Sequence, residues 1–269
     1  MTLRELQLKE LELLKQTIKI IEAHNLSYFA LGGTLLGAVR HKGFIPWDDD
    51  VDICMSRPDY EKFIEYAQKE LPQGLELGYF KTNPEHMKYC ARIIDKNTKV
   101  KRNDASKEYY VNIWIDVLPL DGMPDNIIKN KLHKFHLLWR RLFLQYSIFD
   151  SVKMNKKRKF YETILIKIGF IFVKLIHLDA HKQMYKLDKV LTKYAYDCGK
   201  DVINFMGADK FKEIFKRAAF EEKAAYKFED IEIIGSKDYD YILKTIYGDY
   251  MQLPKEEDRV SHSFVLDNE

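Results

Sequence analysis

Four aspartates fall within five positions, Asp48, Asp49, Asp50 and Asp52, and no other stretch of this 269-residue chain constrains its fold as strongly. Carboxylates at that density repel one another unless a cation stands between them. The run continues into apolar Ile53, so it reads as the entry to a buried strand. Alternation along a strand then predicts Asp48, Asp50 and Asp52 on one face, with Asp49 and Val51 on the other. Oxygen-rich clusters of this kind suit Mg²⁺ or Mn²⁺, ions that in turn hold phosphate oxygens. A calcium loop fits less well. Asp48, Asp50 and Asp52 match its positions one, three and five, but Ile53 stands at six, where the turn needs glycine, and Asp59 at twelve, where glutamate is usual.

A second feature lies just upstream. Ser27 to Leu31 is a short apolar run that reads as a strand, and Gly32 and Gly33 follow it. Neither glycine has a Cβ, so the chain can turn sharply there and approach a ligand closely. Thr34 is placed to cap the helix predicted over Leu35 to Arg40. A strand, a glycine turn and a helix N-terminus together form an anion site, and Arg40, His41 and Lys42 add positive charge nearby. Alone, a Gly-Gly pair is ordinarily a turn and an aspartate run a solvated loop. Their joint occurrence at short range points to phosphoryl-group chemistry.

With those residues in view, GGTLLGAVRHKGFIPWDDDVDI resembles the signature of the LicD family, whose members transfer phosphocholine from CDP-choline to bacterial cell-surface glycans. The family is related to the fukutin-type ribitol-phosphate transferases and is similar to the nucleotidyltransferase (polymerase-β-like) fold. The stretch WIDVLPLDGMP resembles its second signature. The C-terminal stretch from Ala224 to His262, with Tyr247-Gly248-Asp249-Tyr250-Met251 and the LP-x-EE-x-R-x-x-H run, resembles its closing motif. The resemblance implies an α/β (α+β) core sheet with flanking helices, and a metal held by Asp50, Asp52 and a third carboxylate from a neighbouring strand. That third carboxylate is Asp116, as metal ligand or as base for the incoming hydroxyl. Gly32, Gly33 and Thr34 would cradle phosphate, Arg40 would clamp the leaving phosphate, and Asp48 would tune the site or bind a second ion. Asp249, Arg259 and His262 are expected nucleotide or acceptor contacts. The expected donor is CDP-choline or another CDP-alcohol, and the expected acceptor a lipid-linked glycan. Relatives tend to carry a proline-containing turn where this chain has Ile234-Gly235-Ser236.

The rest of the chain reads as scaffold. Leu3 to His24 predicts an amphipathic helix, with Leu6, Leu13, Leu14, Ile18 and Ile21 near helical spacing. Pro58 to Glu70 predicts a second, burying Tyr60, Phe63, Ile64 and Ala67 and ended by Pro72. Strands are expected over Leu75–Phe80, Tyr89–Ile94 and Val111–Leu118, and an edge strand over Ile231–Ile234. Alternation in Val111–Leu118 puts Asn112, Trp114 and Asp116 on one face. Asp121, beside Gly122 and Pro124, reads as turn chemistry. The chain divides into a catalytic core over 1–125, a helical insertion over 126–200 and a C-terminal segment over 201–269 that packs back on the core. Within the insertion, the basic run Lys153–Lys159 and the apolar run Ile164–Leu178 read as an interfacial helix at a membrane or as a helix buried in the subdomain or a dimer.

A net charge of +3 gives no nucleic-acid footprint. Cys54, Cys90 and Cys198 form no CxxC pair or zinc pattern and read as reduced thiols buried as small hydrophobes. The acid-containing N-terminus is not a signal peptide, and nothing reaches the ~18 uncharged apolar residues of a membrane span. A cytoplasmic protein, at the inner face of the cell membrane, is expected.

Overall fold

The computed structural model describes residues 1–86, 88–104, 107–148, 178–207 and 210–259. The run Lys153–Lys159 and nearly all of Ile164–Leu178 lie outside them, as does His262. Helix α1 (Leu3–Ala23) opens with a capping box, in which the Thr2 hydroxyl accepts from Glu5 N–H while Glu5 reaches back to Thr2 N–H. All five apolar residues expected on its inner face are buried. Strand β1 (Phe29–Ala30) leads into α2 (Gly32–Arg40), and β2 (Asp52–Ser56) into α3 (Arg57–Glu70). Ser56 caps α3, with Pro58 in its first turn. Tyr60, Phe63, Ile64 and Ala67 form the buried face of α3, the larger of them worth about 1.5–3 kcal/mol apiece.

The sheet grows around one long strand. Its order is β1-β2-β5-β4-β3, with β3 (Leu75–Gly78), β4 (Ala91–Asp104) and β5 (Lys107–Met123). Strands β2 and β5 run parallel, and every other pair in the sheet is antiparallel. The far end of β5 pairs with β6 (Asp201–Ile203), which pairs with β7 (Ile214–Lys216). Helices α1 and α3 pack on this sheet. Ile53, Cys54 and Met55 are all fully buried, so β2 is covered on both faces. Helices α4 (Ile127–Ser147) and α5 (Ala180–Leu191) pack together. The hairpin β8 (Lys223–Phe228) and β9 (Ile231–Ser236) then lies against β1 and α2, and α6 (Tyr239–Tyr247) packs on α2. The architecture is the expected mixed α/β fold. Among the described residues no helix is long and apolar enough to cross a membrane.

Four local expectations change. Asp121 belongs to β5, not to a turn, and its carboxylate is clamped by Arg57 Nε and Nη2 at 2.6 and 2.8 Å. The reason is tertiary: β6 extends the ladder past Gly122. The predicted strand at Ile231–Ile234 exists, but it pairs with β8 in a sheet of its own. Ile234-Gly235-Ser236 continues β9, so no turn forms there. Cys54 is buried and Cys90 partly so, but Cys198 is exposed; all three thiols are free.

Arg57 is the hub of a buried polar network. Its Nη2 also donates to the Tyr89 hydroxyl (3.0 Å), which donates to Asp188 on α5 (2.7 Å). Lys81 pairs with the other Asp188 oxygen at 2.6 Å. Removing one partner strands the other charge in a low-dielectric interior. Arg57→Ala should therefore cost about 3–5 kcal/mol in urea unfolding, and Arg57→Met with Asp121→Leu clearly less.

Candidate active site

The site begins where β1 hands over to α2. Leu31 N–H donates to the Asp52 carbonyl at 3.2 Å, and Asp52 N–H donates to Thr34 Oγ1 at 2.9 Å. Gly32 starts the helix at φ +56°, a left-handed conformation that favours glycine. Thr34 therefore does not cap α2: the helix starts three residues earlier than expected, behind Leu31, and the buried Thr34 hydroxyl is spent on the Asp52 backbone. Gly33 has a steric duty, since a Cβ there would collide with Asp48 Oδ2. The free N–H groups of the α2 first turn thus stand directly beside two carboxylates.

Asp48, Asp50 and Asp52 do converge, although not as one strand face. Strand β2 starts only at Asp52, and the preceding residues form a turn and extended chain. Gln7 of α1 holds that segment, donating to the carbonyls of Ile45 (3.3 Å) and Asp48 (2.9 Å). Asp49 is fully buried. The parallel register sets Asp52 beside Asp116, and Asp116 N–H donates to Val51 O at 2.9 Å. Neighbouring strands lie about 4.8 Å apart, so these carboxylates share one neighbourhood.

Two cavities meet at Asp50 and Asp52. The larger, about 720 Å³, takes in Gly32, Gly33, Arg40, Trp47, Asp48 and Asp249. Tyr247 and Tyr250 of the closing motif also line it. Arg40 is anchored there by donating to the Tyr250 carbonyl at 2.6 Å. Arg259 is not part of this wall; its guanidinium stacks 5.2 Å from the Trp47 ring centroid, behind a residue that is. The smaller cavity, about 390 Å³, adds Asp116, Arg92, the α4 residues Arg141, Leu144 and Gln145, and Ile148 just past the helix. Asp116 accepts from Arg92 Nε (2.8 Å), Arg92 Nη2 (3.2 Å) and Trp114 Nε1 (3.1 Å), and Arg92 stacks 4.1 Å from the Trp114 ring.

The electrostatics are those of a site with excess negative charge. Burial, and then Asp50, Asp116, Asp48 and Glu213, hold the Asp52 carboxyl well above the usual carboxylate range. Burial, followed by Asp49, pushes Asp48 up to about 6. The Tyr247 phenol is also raised, by burial first and then by Asp48, Asp52, Asp50 and Glu213.

Three contributors escaped the sequence reading. Glu213 lines the larger cavity beside Asn204, whose Nδ2 donates to Glu213 Oε2 at 2.7 Å; Asn204 Oδ1 is buried without a hydrogen-bond partner among the described residues. Only the β5-β6-β7 pairing brings them to the site, and nothing local marks either. Glu10 of α1 is fully buried, and neither of its oxygens is hydrogen-bonded among the described residues. Burial, and then Asp50, Asp49, Asp48 and Asp52, raise its carboxyl well above the normal range. Its signal was legible: a glutamate among Leu6, Leu13 and Leu14 on an apolar helix face.

Among the described residues no group of three or more His, Cys, Asp or Glu is arranged to hold a metal ion. Asp116, the expected third carboxylate, is paired with Arg92 at 2.8 Å. What the donor set offers is a pair, Asp50 and Asp52, at the junction of two cavities. That fits an ion which takes one or two carboxylates and completes its shell with substrate phosphates and water, as Mg²⁺ does.

The glycine turn, the aspartate run and Asp116 all fall within residues 25–141, which match the family described as LicD/FKTN/FKRP, nucleotidyltransferase domain. That is the class this helix terminus and its carboxylates define. Over nearly its whole length the chain is also similar to the lipopolysaccharide cholinephosphotransferase LicD of Haemophilus influenzae, with 30% identity over 97% of this chain and 96% of that protein. An uncharacterised protein of Rickettsia prowazekii is 27% identical over 76% of each chain. The human ribitol 5-phosphate transferase FKRP is 45% identical over 42 residues, 16% of this chain and 8% of that protein. The chain belongs to the LicD family.

Two consequences can be measured. Gly33→Ala should melt close to the parent protein, because alanine suits a helix and only the end of Asp48 must move. Ligand binding should nevertheless weaken about tenfold or more, about the 1.4 kcal/mol of one good charged contact. The raised Asp48 carboxyl also sets a pH slope. Its folded value of about 6 exceeds the ordinary 3.8, so the folded protein holds an extra proton between those values, and stability falls as pH rises across that window. Thermal melts without divalent cations should show this decline, and Asp48→Asn should reduce it.

Proposed function

We propose that this LicD-family phosphotransferase moves phosphocholine from CDP-choline to a hydroxyl of a cell-surface glycan precursor. The observation that carries the reading is the junction of two cavities at Asp50 and Asp52. Group transfer between two substrates needs both to reach one phosphorus, roughly in line. The larger cavity suits the donor. It offers the α2 N-terminus and Arg40 to the pyrophosphate, and aromatic faces at Trp47, Tyr247 and Tyr250 to a quaternary ammonium. The smaller cavity suits the acceptor, with Asp116 and Arg92 at its wall. The activities for which the relatives are named, cholinephosphotransferase and ribitol 5-phosphate transferase, support the same reaction class.

In this reading Asp50 and Asp52 hold Mg²⁺ or Mn²⁺, which would neutralise charge on the transferring phosphate. The α2 N–H groups and Arg40 orient the pyrophosphate. The acceptor hydroxyl is set against Asp116, with Arg92 fixing that carboxylate's direction. The hydroxyl oxygen forms the new bond to the choline-bearing phosphorus as the bridging P–O bond breaks. CMP departs with the bridging oxygen, and the hydroxyl proton passes to the carboxylate group. Catalysis is mostly positioning and charge neutralisation. Asp249 on the larger cavity, and Arg259 through Trp47, belong to the donor side; His262 follows in the same motif. The enzyme works at the cytoplasmic face of the membrane on a lipid-linked acceptor, with no nucleic-acid partner. The partition into core 1–125, insertion 126–200 and C-terminal segment 201–269 is part of this reading.

Product analysis tests it. CDP-choline, CDP-ribitol, CDP-glycerol and CTP would be supplied in turn with Mg²⁺ and a glycan acceptor. Release of CMP from CDP-choline is the expected result; release of pyrophosphate from CTP would make the protein a nucleotidyltransferase instead. Asp50→Ala and Asp52→Ala should each lower turnover about a thousandfold, the several kcal/mol that metal-borne charge stabilisation supplies. Chelation should do the same. Asp116→Asn should lower turnover with little change in donor binding.

A further inference from the structure

Helix α4 has two faces, and among the described residues only one packs inside the protein. His133, Leu137 and Leu144 are buried, and Arg141, Leu144 and Gln145 reach the smaller cavity. The other face is apolar and open. Ile128 (70% exposed), Leu132 (57%), Phe135 (60%), Trp139 (47%) and Leu142 (39%) recur at steps of four and three residues, one continuous stripe down the helix. Ile127 and Leu138 widen it, and the Phe135 and Trp139 rings stack at 6.2 Å. An apolar stripe of this length left in water marks an interaction surface.

Charge identifies the partner. From Ile127 to Ser147 there is no aspartate or glutamate, while Lys129, Lys131, Lys134, Arg140 and Arg141 give the helix a charge of +5. The entire chain carries only +3, so this helix is more basic than the chain as a whole, and everything outside it sums to −2. A second copy of this helix laid along the stripe would bring like charges together with nothing to offset them. An anionic lipid surface meets both demands: headgroup charge for Lys129, Lys131, Lys134 and Arg140, and the acyl boundary for the tryptophan, phenylalanine and leucines, while Arg141 turns inward to the Phe205 carbonyl.

We propose that α4 is a membrane-docking helix, lying in the plane of an anionic bilayer with the Ile128-Leu132-Phe135-Trp139-Leu142 stripe inserted. Its inner face then walls the smaller cavity, so a substrate anchored in the bilayer reaches the site along the helix that holds the protein there. The docking is independent of the donor chemistry proposed above and is tested without substrate.

The experiment is sedimentation of the full-length protein with phosphatidylglycerol-containing vesicles and with pure phosphatidylcholine vesicles, followed by tryptophan fluorescence. Binding should be confined to the anionic vesicles and weaken with salt. The emission should shift to the blue, and Trp139→Phe should remove most of that shift. Leu132→Glu with Phe135→Glu, and separately Lys129→Glu with Lys131→Glu, should each weaken binding at least about tenfold, with unchanged melting because the altered side chains are exposed. No binding to anionic vesicles, or binding that survives both double variants, would overturn the proposal. So would a dimer in solution that the Leu132→Glu, Phe135→Glu variant dissolves, since that would make a second copy the occupant.

Discussion

The site depends on two short hydrogen bonds that tie the Asp52 backbone to the first turn of α2. Leu31 donates into Asp52 on one side, and Asp52 donates into Thr34 on the other. A residue held by both its N–H and its carbonyl cannot swing, so the Asp52 side chain emerges beside the first turn of α2. Without that tie, carboxylates crowded around a buried position would separate, because each raises the free energy of ionising its neighbours. The fold holds them together against that repulsion, in a setting where a cation and a phosphate can relieve it.

Most of the scaffold was legible because it obeys simple periodicities. The buried faces of α1 and α3 follow from apolar spacing, and the alternation of Val111 to Leu118 put Asp116 on the correct face. Misreadings came where a distant strand supplied what the local residues lacked. Asp121-Gly122 has the composition of a turn, yet β6 pairs with it and Arg57 fills its carboxylate. Gly235 looks like a turn residue and sits in a hairpin strand. Thr34 looks like a cap, but Gly32 can adopt the left-handed conformation that starts the helix sooner.

The site itself was half legible. Residues close together in sequence, from Gly32 to Asp52, announced themselves by joint occurrence. Asn204 and Glu213 did not, since their place beside the aspartates exists only once β5, β6 and β7 have paired. Glu10 lies between these cases: an acid on an otherwise apolar helix face states that something polar lies behind it, without saying what. Its carboxyl, raised well above the ordinary range by burial and then by those aspartates, sits one turn after Gln7, which grips the aspartate segment by its carbonyls.

Strand β5 serves three neighbours in turn: β4 along its first half, β2 at its centre and β6 at its end. Side chains alternate with a period of two, so a slip of one residue turns every one of them to the opposite face. Gaining or losing a single residue near its middle would part Asp116 from Asp52 or Asp121 from Arg57, and would misalign a third strand as well. The length of this strand is thus locked by all its partners together. An inserted residue is absorbed wherever the chain loops away from β5, but hardly at all along it.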